Sequence, residues 1–140
     1  MIGLVVLAGA LLATVVVAAV MRWKNGRFAT PPDDRERLTA EQIGADLGDR
    51  ATLVQFSSSF CAPCRATRVL LTDVAGKVPG VVTVEVDAES NLDLVRDLGI
   101  LRTPTVLVLD EAGVVTTRAS GLPRREQVMA AVAGAIQAGR

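Results

Sequence analysis

The chain carries two cysteines, Cys61 and Cys64, in the stretch SSSFCAPCRATRVLL. Two thiols three residues apart suit half of a metal site, a small covalent staple, or a redox pair that opens and closes. Composition narrows the choice. There are no histidines, which removes the commonest metal ligand and the commonest general base together. A structural zinc normally takes four ligands from Cys and His, so carboxylates or a second copy would have to complete it. A haem-attachment motif needs His directly after the second cysteine, where this chain has Arg65. The expectation is no metal and no cofactor.

The flanking pattern decides between staple and redox pair. ATLVQF, residues 51–56, reads as a buried strand, and helical spacing through Val69, Leu70, Asp73, Val74 and Lys77 follows the cysteines until Pro79-Gly80. Cys61 therefore falls where a helix begins, with Pro63 tolerated in the first turn. An i, i+3 spacing puts both sulfurs on one face, within reach of a disulfide. The unpaired N–H groups of the helix start stabilise a thiolate at Cys61 and make it the attacking group. Cys64, one turn further in, should be less exposed and should resolve the mixed disulfide. Closing so small a loop removes little entropy from the unfolded chain, so a static staple would stabilise weakly. The redox pair is the favoured reading.

Strand and helix signals alternate through the rest of residues 38–140. LTAEQIGADLG has Thr39 and Gln42 at capping-box spacing and is expected to end at Gly48. VVTVEVD predicts a strand with Val82, Val84 and Val86 on one face, and NLDLVRDLG a short helix closed by Gly99. TVLVLD and VVTTRAS, joined by the turn DEAG, predict a hairpin. Pro123 can open a last helix with Val128, Val132 and Ile136 along its inner stripe. The fold class expected is α/β, a mixed central sheet flanked by helices.

Before this domain lies IGLVVLAGALLATVVVAAVM, residues 2–21, without a charge. A helix of that length spans roughly 30 Å, the thickness of a bilayer's hydrocarbon core. A cleaved signal peptide would have a shorter apolar stretch, a basic start and a small-residue cleavage site, so an uncleaved single-pass anchor over 1–21 is favoured. Trp23 suits the interface, and Arg22, Lys24 and Arg27 form a basic flank. The positive-inside rule keeps that flank, and with it the catalytic domain, in the cytoplasm; an extracytoplasmic domain is the alternative. Residues 22–37, with Pro31, Pro32 and mixed charges, read as a juxtamembrane linker. Fifteen basic residues balance fifteen acidic ones, which argues against a nucleic-acid partner. Richness in Ala, Val and Arg is in keeping with a GC-rich bacterial coding sequence.

FCAPCR after an apolar strand, RTPT before the next and SGLP before the last helix resemble the thioredoxin family over roughly residues 38–138. The resemblance implies a thioredoxin-like fold and a redox disulfide between Cys61 and Cys64. It also implies a substrate-binding surface at Phe60, Ala62, Pro63, Thr103, Pro104 and Gly121, with Pro104 as the family's cis-proline facing the cysteines. Three positions depart from the family. Phe60 stands where Trp is usual, Gln55 replaces a buried acid, and Thr83 falls where a lysine accompanies that acid. Gln55 and Thr83 thus mark the proton-relay neighbourhood without being able to titrate. Glu85 and Asp87 lie on the same strand, each more in keeping with a solvated or capping carboxylate.

The resulting expectation is a membrane-tethered thiol–disulfide oxidoreductase. Its partners would be protein or small-molecule thiols and disulfides, served by an upstream thiol reductase or a membrane thiol donor. Two alternatives belong to other classes. One is a module that delivers copper or another soft metal through two thiolates; the other is a thioredoxin-fold assembly subunit of a membrane complex.

Overall fold

The computed structural model describes residues 1–29 and 36–140. In chain order the elements are α1 (Ile2–Lys24), β1 (Phe28–Ala29), α2 (Ala40–Ile43), β2 (Ala51–Ser57), α3 (Ala62–Lys77) and β3 (Val81–Asp87). They continue with α4 (Leu92–Asp97), β4 (Thr105–Asp110), β5 (Val115–Ser120) and α5 (Arg125–Ala138). The expected extended run at Pro31 and Pro32 lies outside the described residues.

The strands form one sheet in the order β1-β5-β4-β2-β3. Among the described residues only β2 and β3 are parallel, in register from Ala51 opposite Val81 to Ser57 opposite Asp87; β4 and β5 form the expected hairpin. Every residue of β2 and β4 is buried. These central strands are covered on both faces, which explains their continuous apolar sequence. On one face Val54, Phe56, Val84, Val86, Leu107 and Leu109 meet α2 and α4. On the other, Leu53, Val106 and Val108 meet Leu71 and Val74 of α3 and Val128 and Val132 of α5. Ile136 is partly buried against the same cluster.

Local signals act largely as the sequence predicts. Thr39 and Gln42 make a reciprocal capping box, and Gly99 has positive φ just beyond α4. Two details differ. The first short helix stops at Gly44 rather than Gly48, because Gly44 turns left-handed and donates its N–H to Ala40. Leu47 then reaches the core from the loop. Val82 shares a face with Val84 and Val86 by alternation but stays exposed at the start of the outermost strand.

The N-terminal segment differs most. Helix α1 buries none of its residues and is long and apolar enough to cross a membrane. It runs on past residue 21 to Lys24, and Phe28 and Ala29 pair antiparallel with Ala119 and Arg118 of β5. The expected 22–37 linker therefore contains, at its start, the last turn of the helix and an edge strand of the sheet.

Candidate active site

Helix α3 begins where β2 ends its buried run, and the cysteines occupy that junction. Cys61 is the N-cap and Pro63 lies in the first turn, which carries no acidic side chain. The thiols are joined, with S–S 2.01 Å and Cα–Cα 5.3 Å. Their exposure differs: Cys61 is half-buried and Cys64 is 2% exposed. A partner sulfur can therefore reach Cys61 and not Cys64. On reduction, the N–H groups of the first turn would face a thiolate at Cys61, and that turn itself carries no acid.

Gln55 sits beneath this turn, 1% exposed. Its Nε2 donates to the carbonyl of Cys64 at 2.8 Å and to Ser57 Oγ at 3.0 Å. The carboxamide thus holds the backbone of the buried cysteine, a role open to an amide donor and closed to an ionised carboxylate. Thr83 is exposed on β3 opposite Leu53, and no hydrogen bond joins it to Gln55 among the described residues. The register partner of Gln55 is Glu85, which is turned to Arg68 of α3 in a two-pronged ion pair, one prong at 2.8 Å and the other between Arg68 Nε and Glu85 Oε2. Hydrogen bonding and then attraction from Glu85 hold the Arg68 guanidinium above its ordinary pKa. Asp87 accepts from Ser90 Oγ at 2.7 Å and from the Glu89 N–H at 3.0 Å. The Ser90 bond first and the Glu89 bond second hold Asp87 below the usual carboxylate range. It is a turn-forming carboxylate.

Three serines position the loop that delivers Cys61, and sequence reasoning gave them no role. Ser57 accepts from Gln55. Ser58 Oγ lies 2.9 Å from Thr103 Oγ1. Ser59 donates from its N–H and Oγ to the two oxygens of Glu89, at 3.0 and 3.2 Å. The available signal was the run itself: three short polar side chains at a strand-to-helix junction can each bond locally.

The Ser58–Thr103 bond joins the cysteine loop to the loop before β4. There the Thr103–Pro104 peptide is cis, Pro104 is buried, and its carbonyl accepts the Gly121 N–H at 2.7 Å. Pro104 and Gly121 are thus brought together. Phe60, Ala62 and Pro63 are exposed, and Ser59, Phe60, Cys61, Ala62 and Arg65 line a depression of about 440 Å³. No group of three or more His, Cys, Asp or Glu side chains placed to hold a metal occurs among the described residues.

The arrangement is that of a dithiol/disulfide centre, and comparison with known proteins agrees. The Thioredoxin family model matches residues 37–133. Thioredoxin from Alicyclobacillus acidocaldarius subsp. acidocaldarius is 31% identical, the match covering 64% of this chain and 86% of that one. Thioredoxin domain-containing protein 2 from Mus musculus is 35% identical over 51% of this chain. The match spans only 14% of that protein, and 13% of its human and rat counterparts. Among solved structures, chloroplastic thioredoxin z aligns with a TM-score of 0.58 at 30% identity, over 74% of this chain and 95% of its own. The family model spans most of the domain, and the cysteine pair it covers lies beside a cis-proline loop bonded to Ser58 and Gly121: the chain belongs to the thioredoxin family.

Proposed function

We propose that the chain is a membrane-tethered thiol–disulfide oxidoreductase with Cys61 as nucleophile and Cys64 as resolving thiol. The observation that carries this reading is the unequal exposure of two bonded cysteines across the first turn of α3. In the reducing direction the Cys61 thiolate attacks one sulfur of a substrate disulfide. A mixed disulfide forms, and the other substrate sulfur leaves as a thiolate and takes up a proton. Cys64 then loses its proton and attacks Cys61 Sγ, which forms the Cys61–Cys64 disulfide and releases the second substrate thiol. Two electrons pass to the substrate, and an external dithiol returns them to the pair. The same steps run backwards when the partner's potential demands it.

Gln55 supplies no base, so the Cys64 proton leaves to water or to a departing thiolate. Phe60, Ala62 and Pro63 would meet the substrate on one side of Cys61, and Thr103, Pro104 and Gly121 on the other. Helix α1 would span the membrane, and Arg22, Lys24 and Arg27 would keep the domain on the cytoplasmic side. There an upstream thiol reductase, or a thiol donor in the membrane, would regenerate the pair.

The test is reduction of insulin disulfides by the full chain in detergent, with dithiothreitol as donor. The reading expects acceleration that Cys61→Ser abolishes; activity unaffected by that change would contradict it. A reporter fused after Arg140 decides the side: cytoplasmic behaviour is expected, and an extracytoplasmic signal would reverse the orientation.

A further inference from the structure

The cysteine centre and the end of α1 are joined through a short, interlocked turn. Asn25 and Gly26 lie between the last helical residue, Lys24, and the start of the β1 segment. The Gly26 N–H donates to the carbonyl of Ser120 at 2.6 Å. Arg102, two residues before the cis-proline, donates from Nη2 to Asn25 Oδ1 at 2.6 Å and to the Ser120 carbonyl at 3.0 Å. There is no spare room on either side. A Cβ on Gly26 would lie 2.0 Å from the Leu122 oxygen, and one on Gly121 would lie 1.9 Å from Asn25 Oδ1. Both glycines have positive φ, so the turn and its receptor depend on residues without a side chain.

This joint fixes a height. Arg22, Trp23 and Lys24 are the residue types that settle in the headgroup layer, and Trp23 carries the Arg27 guanidinium 5.0 Å from its ring centroid. Arg102 binds the residue that follows Lys24, so the loop bearing Thr103 and Pro104 lies at the same level. Leu101, next to Arg102, is 95% exposed, and Leu122, whose carbonyl abuts Gly26, is 41% exposed; in the cysteine loop Phe60 is 101% exposed. Val16, Val17, Val20 and Met21 of α1 face Arg102 across a cleft of about 610 Å³. Its wall is apolar along the part of α1 that would lie within the bilayer and cationic at its lip, where Arg22, Lys24 and Arg102 stand, so a membrane-spanning segment packed beside α1 would meet both.

We infer that the Asn25–Gly26 turn is a rigid joint holding the Cys61–Cys64 centre at the bilayer surface, and that the partner it fits is a membrane protein whose disulfide lies in that same layer. This rests on the proposed chemistry and on α1 spanning the membrane. A domain on a loose tether would sample all heights within its reach; one locked to its helix meets only sulfurs at its own level.

The experiment uses the full chain reconstituted in phospholipid vesicles. Two membrane-spanning reporter peptides are offered, one with a disulfide at the bilayer edge and one with it beyond a flexible Gly/Ser spacer about 30 residues long. The native chain should reduce the near disulfide roughly tenfold faster than the far one. A Gly/Ser insertion of about 20 residues between Lys24 and Asn25 leaves the interlocked turn on the domain but frees it from the helix, and should bring the two rates within about twofold. Insulin reduction should be equal in both forms. Equal peptide rates in a native chain that reduces insulin and resists alkaline extraction would overturn the inference alone, as would a preference that survives the insertion. Failure to reduce insulin, or release by alkali, would remove the reading beneath it.

Discussion

Replacing Gln55 by Asp tests whether an amide under the buried cysteine has a kinetic consequence, and Gln55→Asn is its control. Both variants have a shorter side chain and weaken the bonds to the Cys64 carbonyl and Ser57. Leaving such groups unpaired costs about 1–3 kcal/mol. They are close in shape and differ in charge and, once the acid ionises, in the ability to donate to the Cys64 carbonyl. At a site 1% exposed, desolvation pushes an introduced carboxyl upward, and a rise of about 2–3 pKa units corresponds to roughly 3–4 kcal/mol. With a native pKa above the unfolded one, the folded state binds the proton more tightly. The Asp variant should therefore match Asn at low pH, then lose stability as pH rises from about 4 to the raised native value and stay lower above it. The protonated acid can donate to the Cys64 carbonyl, whereas the ionised form repels it. Above that pH the carboxylate can take the Cys64 proton, and release of the mixed disulfide should be at least about tenfold faster than in Gln55→Asn. Urea unfolding of the full chain in detergent, followed by far-ultraviolet circular dichroism across pH, reads the first effect. Single-turnover release of a labelled thiol from Cys61 reads the second. A carboxyl that titrates in the stability profile while both variants release thiol at one rate would refute the reasoning.

Three further changes probe the surroundings. Ser58→Ala deletes the bond to Thr103; it should cost about 1 kcal/mol in urea unfolding and raise KM for a protein disulfide more than it changes kcat. Asp73 is held below the ordinary carboxylate range, first by its bond to Lys77 and then by its bond to Arg125 of α5. Its stabilising contribution is present above the unfolded pKa and lost as pH falls through the folded one, so Asp73→Asn should flatten the acid limb of the stability profile. Gly121→Ala would place a methyl group on Asn25 Oδ1 and should free the α1–β1 turn, read as faster hydrogen exchange at the Gly26 amide.

The sequence made some of this plain for physical reasons. A cysteine at the start of a helix that follows a buried strand, with a second one turn further in, already implies one accessible and one buried sulfur. The Thr39 capping box and the hairpin turn rest on bonds between near neighbours, and uniform burial in β2 and β4 shows as uninterrupted apolar sequence. Other features depend on distant partners. Phe28 and Ala29 become a strand only because Ala119 and Arg118 offer an edge some ninety positions away, and two residues carry no periodicity to betray them. Asn25 and Gly26 look like ordinary linker until Ser120 and Gly121 are seen against them. Gln55 could be recognised as unable to titrate, yet its hold on the Cys64 carbonyl appears only once α3 lies over β2.

Trapping on single-cysteine variants tests the central claim most directly. The full chain carrying Cys64→Ser keeps the helix start proposed to activate Cys61 and loses the thiol proposed to resolve its adducts. Expressed in cells and quenched with acid, it should accumulate mixed disulfides visible as reducible bands of higher mass, enriched in the membrane fraction. Cys61→Ser leaves only the sulfur that is 2% exposed and should trap little. Equal trapping by the two variants would contradict the assignment of nucleophile and resolving thiol; no trapping by either would contradict disulfide exchange as the function of the pair.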